Sequence, residues 1–299
     1  MAAKNFPNAY LFVGPKKVGK FSTAKTFAKI LQTSNNADGH SEIARQIENE
    51  LQADTRFIRD DAKSLKIGQD ENELGAIREI NRWINIKKVS PYRLLLIENV
   101  SRMTTSAANA FLKNLEEPPE GAIVILTTQN TEDVLPTILS RVRVVRFGLV
   151  SDNELYKNFH KKFGDIDDQV LQKVINFSRG RPGKAVALLN DPDKLRKNIE
   201  LFVTIEKLFL IDGLTERFRH LENLIKKQAG EDEKNSLINF LENVELFLRS
   251  RFLESVRQGN RREFFKWKNY INGLWQLRLI LHTNVNIKLA LENFWLMNL

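Results

Sequence analysis

The sequence predicts an α/β domain with a parallel sheet, followed by a small helical domain and a longer all-helical domain. Three observations predict this order: short unbroken apolar runs alternate with helical stretches up to about residue 147, a glycine-rich loop follows the first run, and long 3.6-residue periodicities replace the runs beyond residue 193. We expect domain boundaries at 1–148, 149–192 and 193–299, with Asp191-Pro192-Asp193 as a linker.

The elements of the first domain follow from local patterns. The predicted strands are the apolar runs Tyr10–Val13, Leu94–Ile97, Ala122–Leu126 and Val142–Val145. Apolar residues from Phe21 to Leu31 recur at helical spacing, and a second helix is predicted over 105–116, ended by Pro118-Pro119. Residues 34–52 form a polar, mostly helical insertion, and residues 151–189 form the small helical domain.

Composition excludes several classes of protein. A length of 299 residues suits two or three domains, and a hydrophobic content of 42% supports packed cores. The absence of cysteine excludes disulfides, cysteine-ligated zinc and iron–sulfur clusters. The first residues carry no apolar signal region, and no apolar run is long enough for a bilayer, so we expect a cytoplasmic protein without membrane contact.

The net charge of +9 is unevenly distributed. Residues 249–288 contain nine Lys or Arg against two acidic residues, Glu254 and Glu263. A solvated helix face explains this excess somewhat better than a nucleic-acid surface, because charge without a recognised fold specifies no partner.

The glycine-rich loop indicates a nucleotide-binding site. Gly14, Gly19 and Lys20 match the pattern G-x-x-x-x-G-K-[ST], whose backbone N–H groups wrap phosphate oxygens while the lysine adds charge. Phe21 stands where the pattern requires Ser or Thr, and a phenyl ring cannot ligate Mg²⁺. The candidate binding residues are Gly14, Lys17, Val18, Gly19, Lys20, Phe21, Ser22 and Glu98. The expected cofactor is ATP in a weak or vestigial site, without zinc and with Mg²⁺ disfavoured.

Glu98 and Asn99 follow the second predicted strand. In a P-loop ATPase, this strand ends with an acidic residue that helps to hold Mg²⁺. Many of these enzymes have a second acidic residue next to it that activates water. Glu98 suits the first role, but the carboxamide of Asn99 is not a general base at neutral pH. Phe21 and Asn99 together therefore predict little or no hydrolysis.

The segments 97–104, 107–119, 125–128 and 135–141 resemble the bacterial DNA polymerase III clamp-loader subunits of the AAA+ family, and among these the delta-prime type most. The resemblance continues at Ser178–Ala185 and at Asn284–Glu292. It implies an AAA+ P-loop domain, a helical lid and a helical collar that assembles with gamma or tau and delta subunits. The sliding clamp and primer–template DNA are implied as indirect partners.

The resemblance also implies a role for Arg141. In the family, a Ser-Arg-Cys motif places an arginine against the γ-phosphate bound by a neighbouring subunit, and Ser140-Arg141-Val142 matches two of its three letters. Arg141 is therefore the candidate trans-acting finger. The alternative is a surface arginine that closes a loop.

Departures from the family leave two functions open. The sensor arginine of active subunits aligns with Gly183, flanked by Arg181 and Lys184, and the insertion 34–52 replaces a cysteine zinc module. The first function is a non-hydrolysing clamp-loader subunit that donates Arg141. The second is an active AAA+ ATPase of the gamma/tau type or another independent P-loop enzyme, which Phe21 and Asn99 disfavour.

Overall fold

The computed structural model describes residues 6–33, 41–61, 63–68, 76–164, 166–211, 213–228, 233–281 and 286–296. Residues 34–40 of the predicted insertion lie outside this range. The chain divides into two compact units, the first formed by Met1–Asp167 with Ser178–Val186 and the second by Asp168–Phe177 with Ala187–Leu299.

The first unit contains a five-stranded parallel sheet. Its strands are β1 (Ala9–Val13), β2 (Thr55–Ile58), β3 (Arg93–Ile97), β4 (Ala122–Thr128) and β5 (Arg143–Arg146). Their order is β2-β3-β4-β1-β5, so that β1 lies between β4 and β5 although both follow it in the sequence. This arrangement brings the carboxyl ends of β1, β3 and β4 to one edge, where open α/β sheets bind ligands.

The helices lie in the connections and throughout the second unit. In chain order they are α1 (Lys20–Gln32), α2 (Glu42–Glu48), α3 (Ile77–Ile84), α4 (Thr105–Glu116), α5 (Pro136–Leu139), α6 (Asp152–Lys162), α7 (Asp168–Ser178), α8 (Pro182–Leu189), α9 (Pro192–Leu210), α10 (Leu214–Gln228), α11 (Glu233–Arg257), α12 (Arg261–Ile280) and α13 (Ile287–Leu296). A single 3₁₀ turn, Val100–Arg102, follows β3.

Two apolar clusters sandwich the sheet. One cluster packs Ile80 of α3 and Phe111 of α4 against Leu95 and Val124. The other packs Ala28 of α1 and the side chains around it against the opposite face. Because β1, β3 and β4 are buried on both faces, their sequences contain unbroken apolar runs instead of alternating apolar and polar residues.

The predicted fold class is confirmed: an α/β domain with a parallel sheet and a glycine-rich loop after its first strand is followed by helices. Four strands were predicted within a few residues of their bounds, and α4 occupies the predicted residues 105–116. The strand β2 was not predicted, since Thr55-Arg56-Phe57-Ile58 is an edge strand with no apolar run. The predicted linker Asp191-Pro192-Asp193 belongs largely to α9. Asp191 is the N-cap of this helix, and its side chain accepts a hydrogen bond from the Lys194 N–H.

The second unit is built around an aromatic cluster. The ring of Phe209 lies 4.2 Å from Trp295, 4.7 Å from Phe247 and 5.3 Å from Tyr270, measured between centroids. These contacts join α9, α11, α12 and α13 into one core. Within the described residues, no helix is long and apolar enough to cross a membrane.

Candidate functional site

The loop between β1 and α1 has the backbone that a phosphate site requires. Gly14 has φ 154°, and a Cβ there would lie 2.2 Å from the Phe147 carbonyl oxygen, so only glycine fits. Gly19 caps α1 with φ 99°, and Lys17 also adopts a positive φ of 64°. The loop leads into the N-terminus of α1, where unpaired N–H groups and the helix dipole favour anions.

Lys20 lies across this loop. Its Nζ donates hydrogen bonds to the carbonyl oxygens of Gly14, at 2.5 Å, and Pro15, at 2.7 Å. Burial lowers the pKa of Lys20, an effect that the nearby carboxylate of Glu98 opposes and the charge of Lys16 reinforces. The lysine is therefore held at the loop by carbonyl groups that a bound phosphate would replace as its partner.

A cleft of about 710 Å³ opens beside the loop. Its lining carries five basic and three acidic side chains, namely Lys16, Lys17, Lys20, Lys25 and Arg59 against Glu48, Asp60 and Glu98. Thr127 and Thr128 at the end of β4 also line it. The formal excess of positive charge and the glycine loop fit the phosphates of a nucleotide.

The residues at the metal position do not fit Mg²⁺. In P-loop proteins a Ser or Thr hydroxyl and a strand-end acid hold this ion. Here Phe21 supplies no oxygen, and Glu98 forms an ion pair with Arg59, Oε2 lying 3.3 Å from Nε. Within the described ranges, no group of three or more His, Asp or Glu side chains is placed to hold a metal.

The side chain of Asn99 is not suited to act as a general base. It adopts a left-handed backbone, φ 57°, and its Nδ2 donates to Asp60 Oδ2 at 2.9 Å while its Oδ1 accepts from Ser101 Oγ at 2.6 Å. Its backbone N–H donates to Thr127 Oγ1 at 3.0 Å. The side-chain nitrogen thus donates and the side-chain oxygen accepts, and a neutral carboxamide cannot take a proton from water at neutral pH.

The start of α8 contacts the loop directly. The Gly183 N–H donates to the Lys17 carbonyl oxygen at 2.8 Å, and a Cβ at residue 183 would lie 2.9 Å from that oxygen. A side chain at this position would therefore displace the loop, so the close approach of α8 to the loop depends on glycine at residue 183.

Arg141 lies on the surface just after α5. Its Nη2 pairs with Glu116 Oε1 at 2.6 Å, and its Nη1 donates to the Thr137 carbonyl at 2.9 Å and to Ser140 Oγ at 3.0 Å. The pair is partly exposed, so it contributes little to stability and is easily exchanged for another anion.

The structure brings most of the predicted site residues together. Of the described residues, those lining the cleft include Lys17, Gly19, Lys20, Phe21, Ser22 and Glu98, but not Gly14, Val18 or Arg141. Val18 is buried, and Gly14 lies under Phe147. Arg59 and Asp60 were missed because β2 was not recognised, so the carboxyl end of that strand was not considered.

Comparisons with known proteins assign the chain to a family. Residues 1–151 match the family model described as DNA polymerase III, delta subunit. The chain is 28% identical over 218 residues to DNA polymerase III subunit tau of Bacillus subtilis, covering 70% of this chain and 37% of tau. It is 31% identical over 143 residues to subunit delta' of the same organism, covering 47% of this chain and 42% of delta'.

A solved structure of a DNA polymerase III gamma subunit-related protein from Thermotoga maritima aligns over 99% of this chain and 95% of its own, with 21% identity and a TM-score of 0.49. The matched part of this chain spans less than half of both tau and delta' from Bacillus subtilis. Because the family model covers half of the sequence, the chain belongs to the DNA polymerase III clamp-loader family.

Proposed function

We propose that this chain is a delta-prime-like clamp-loader subunit. In this role it assembles with gamma/tau and delta subunits to load the sliding clamp onto primer–template DNA during replication. It hydrolyses little or no ATP itself and donates Arg141 to a nucleotide bound by a neighbour. The observation that carries the proposal is the metal position, where Phe21 and the ion pair of Arg59 with Glu98 replace the Mg²⁺ ligands.

Chemistry supports a non-hydrolysing role. Phosphoryl transfer depends on a metal bridging the phosphates and on a residue that orients or activates water. The cleft retains the glycine loop and Lys20 but offers neither a metal hydroxyl at residue 21 nor a carboxylate at residue 99. A site with these losses holds phosphate more readily than it cleaves it.

An active ATPase of the gamma/tau type is the second candidate. The 28% identity to tau over 218 residues favours it, because that match extends beyond the sheet domain. The side chains at the metal position count against it, and the two candidates differ in one measurable property, the intrinsic rate of ATP turnover.

The isolated protein is expected to turn over ATP at a background rate. Replacing Lys20 with Ala should weaken any nucleotide binding, since it removes a charge at the loop, while leaving the measured rate unchanged. A coupled phosphate-release assay on both proteins tests this. A steady rate on the order of 1 s⁻¹, ordinary for an enzyme, that Lys20→Ala abolishes would favour the gamma/tau-type candidate.

Assembly with partner subunits is proposed to use α12. Trp275 and Leu279 lie one helical turn apart and are 66% and 67% exposed. Large apolar side chains in such a position are typical of interface anchors. The same helix also carries the basic residues Arg261, Arg262, Lys266 and Lys268.

The double variant Trp275→Asp, Leu279→Asp is expected to fold but to lose assembly with gamma and delta. Two carboxylates at exposed positions cost the monomer little stability. Burying them in a subunit interface without opposite charges to pair with is strongly unfavourable. Gel filtration of the reconstituted complex measures this. The control Val89→Asp, at an apolar residue of the first unit that is even more exposed (96%), should assemble normally. Co-elution of both variants at wild-type affinity contradicts a role for α12.

A further inference from the structure

Arg59 occupies the space between the two positions that hold Mg²⁺ in P-loop proteins. Its guanidinium carbon lies 4.1 Å from the centroid of the Phe21 ring, and its Nε lies 3.3 Å from Glu98 Oε2. Phe21 stands at the hydroxyl position and Glu98 at the acid position. A fixed organic cation thus contacts both groups that would otherwise surround a divalent ion.

Several contacts hold Arg59 in this place. Arg102 Nη2 donates to the Arg59 carbonyl oxygen at 2.6 Å, and Arg59 Nη1 pairs with Glu50 Oε1 at 3.2 Å. The backbone N–H of Asp60 donates to Glu98 Oε2 at 3.3 Å, which orients the acid toward Arg59. The guanidinium therefore has a defined position at the end of β2, although its side chain is 52% exposed.

Arg59 also retains donors for a ligand. Its Nε and Nη1 face carboxylates, whereas Nη2 has no hydrogen-bond partner in the part of the chain that the structure describes. A guanidinium presents planar N–H groups that match two phosphate oxygens at once, a geometry that a bare ammonium lacks. Lys20 lines the same cleft and adds a second cation beside the glycine loop.

We infer that Arg59 replaces the divalent cation, so that the cleft binds the phosphates of a nucleoside di- or triphosphate without metal. This inference rests on the proposed function only in treating the loop as a phosphate site that does not hydrolyse. A free nucleotide carries more negative charge than its Mg²⁺ complex, and a cleft with a built-in cation favours the more negative form. A Mg²⁺ ion would also be repelled by the guanidinium held at its position.

The first test is titration calorimetry of the full-length protein with ATP, in EDTA and in Mg²⁺. Binding in EDTA is expected to be at least as tight as binding in Mg²⁺. Arg59→Gln should weaken binding in EDTA by roughly tenfold or more, the usual effect of losing a charge-assisted hydrogen bond. The matched control Arg82→Gln, at an exposed residue of α3 outside the cleft lining, should bind as the wild type does.

The second test restores the metal position. The double variant Phe21→Thr, Arg59→Gln regains a hydroxyl, frees Glu98 and removes the guanidinium. Its ATP binding is expected to become dependent on divalent ions, and Mn²⁺ bound with ATP should give an electron paramagnetic resonance signal that the wild type lacks. Thermal melting of each variant shows that it is folded.

The inference is overturned by wild-type binding that requires Mg²⁺, or by no ATP binding in EDTA at millimolar concentration. Arg59→Gln binding ATP as tightly as the wild type in EDTA, with only its melting temperature lowered, also overturns it, because that is the pattern of a purely structural ion pair. None of these results bears on assembly with partner subunits. Conversely, failure to assemble overturns the proposed function and leaves metal-free binding intact.

Discussion

Arg141→Ala is expected to lower the DNA- and clamp-stimulated ATPase of the reconstituted loader while leaving folding and assembly intact. A guanidinium that reaches a neighbour's γ-phosphate stabilises the charge that develops in the transition state, and its loss costs roughly 10³ or more in rate at the one site it serves. The fall in total rate is partial where other sites keep their own arginines, so single-turnover kinetics on the complex is the decisive measurement.

The surroundings of Arg141 support this expectation. Its contacts are with Glu116, Thr137 and Ser140, all at the surface, and their loss leaves no buried group unpaired. Arg141→Lys should restore only part of the rate, because an ammonium lacks the planar two-pronged geometry. Glu116→Gln weakens the hold on Arg141 within the chain and should not lower the rate.

Arg143→Ala is the matched control for Arg141→Ala. Arg143 is an exposed arginine only two residues further along, at the start of the edge strand β5. Its replacement tests whether loss of a positive charge at this edge is sufficient to slow the loader. Equal kinetics for the wild type and Arg141→Ala in every phase would exclude a finger role and reduce this subunit to a scaffold.

Asp54→Ala is expected to destabilise the first unit by about 3 kcal/mol, the usual cost of leaving one partner of a buried ion pair behind. Asp54 Oδ1 lies 3.1 Å from Arg93 Nη2, and both side chains are almost fully buried. Arg93 also donates to the carbonyls of Ile86 and Lys87 and lies 4.8 Å from the ring of Trp83. The remaining guanidinium cannot reach water.

The carboxylate of Asp54 should also make the stability of the first unit depend on pH. Burial acts to raise the pKa of Asp54, but hydrogen bonds donated by the backbone N–H groups of Ser90 and Val89, together with Arg93, outweigh it and hold the pKa below its usual value. The stabilisation is therefore fully present above the pKa of the unfolded state. It is lost as the pH falls through the lower pKa of the folded state.

Hydrogen exchange of the β3 amides in urea measures the stability of the first unit without interference from the second. The urea concentration at the midpoint of unfolding should be lower for Asp54→Ala than for the wild type. It should also vary less with pH between about 3 and 5, the range in which carboxyl groups titrate. Asp61→Asn, which removes an exposed partner of Arg102, should leave the midpoint nearly unchanged. Equal midpoints for both variants would show that the buried pair contributes no net stability.

Local sequence patterns were sufficient to predict those strands, helices and loops that are specified by a few neighbouring residues. The buried strands β1, β3 and β4 each contain an unbroken apolar run, α4 ends before a proline pair, and the glycine loop lies between a strand and a helix. The substitutions at Phe21 and Asn99 could be interpreted without coordinates, because the chemistry of a missing hydroxyl or base depends on residue type alone.

The edge strand β2 and the residues that follow it required the tertiary structure. Thr55 and Ile58 are buried, whereas Arg56 and Phe57 between them are partly buried and Arg56 pairs with Glu79 of α3. The strand therefore has neither an unbroken apolar run nor a clear alternation in its sequence. The contacts of Arg59 with Phe21 and Glu98 join residues 38 and 39 positions apart. No periodicity or spacing contains information on such pairs.

The sequence by itself determined the α/β and helical composition, the phosphate loop and the loss of the groups that hold Mg²⁺ and activate water, because these depend on residue type and short-range order. Only the tertiary structure decided that a guanidinium lies at the metal position, that Gly183 donates to the loop and that Arg141 is paired with Glu116. These contacts depend on how parallel strands are ordered in the sheet, and strand order is set by packing across the whole unit rather than by any local segment.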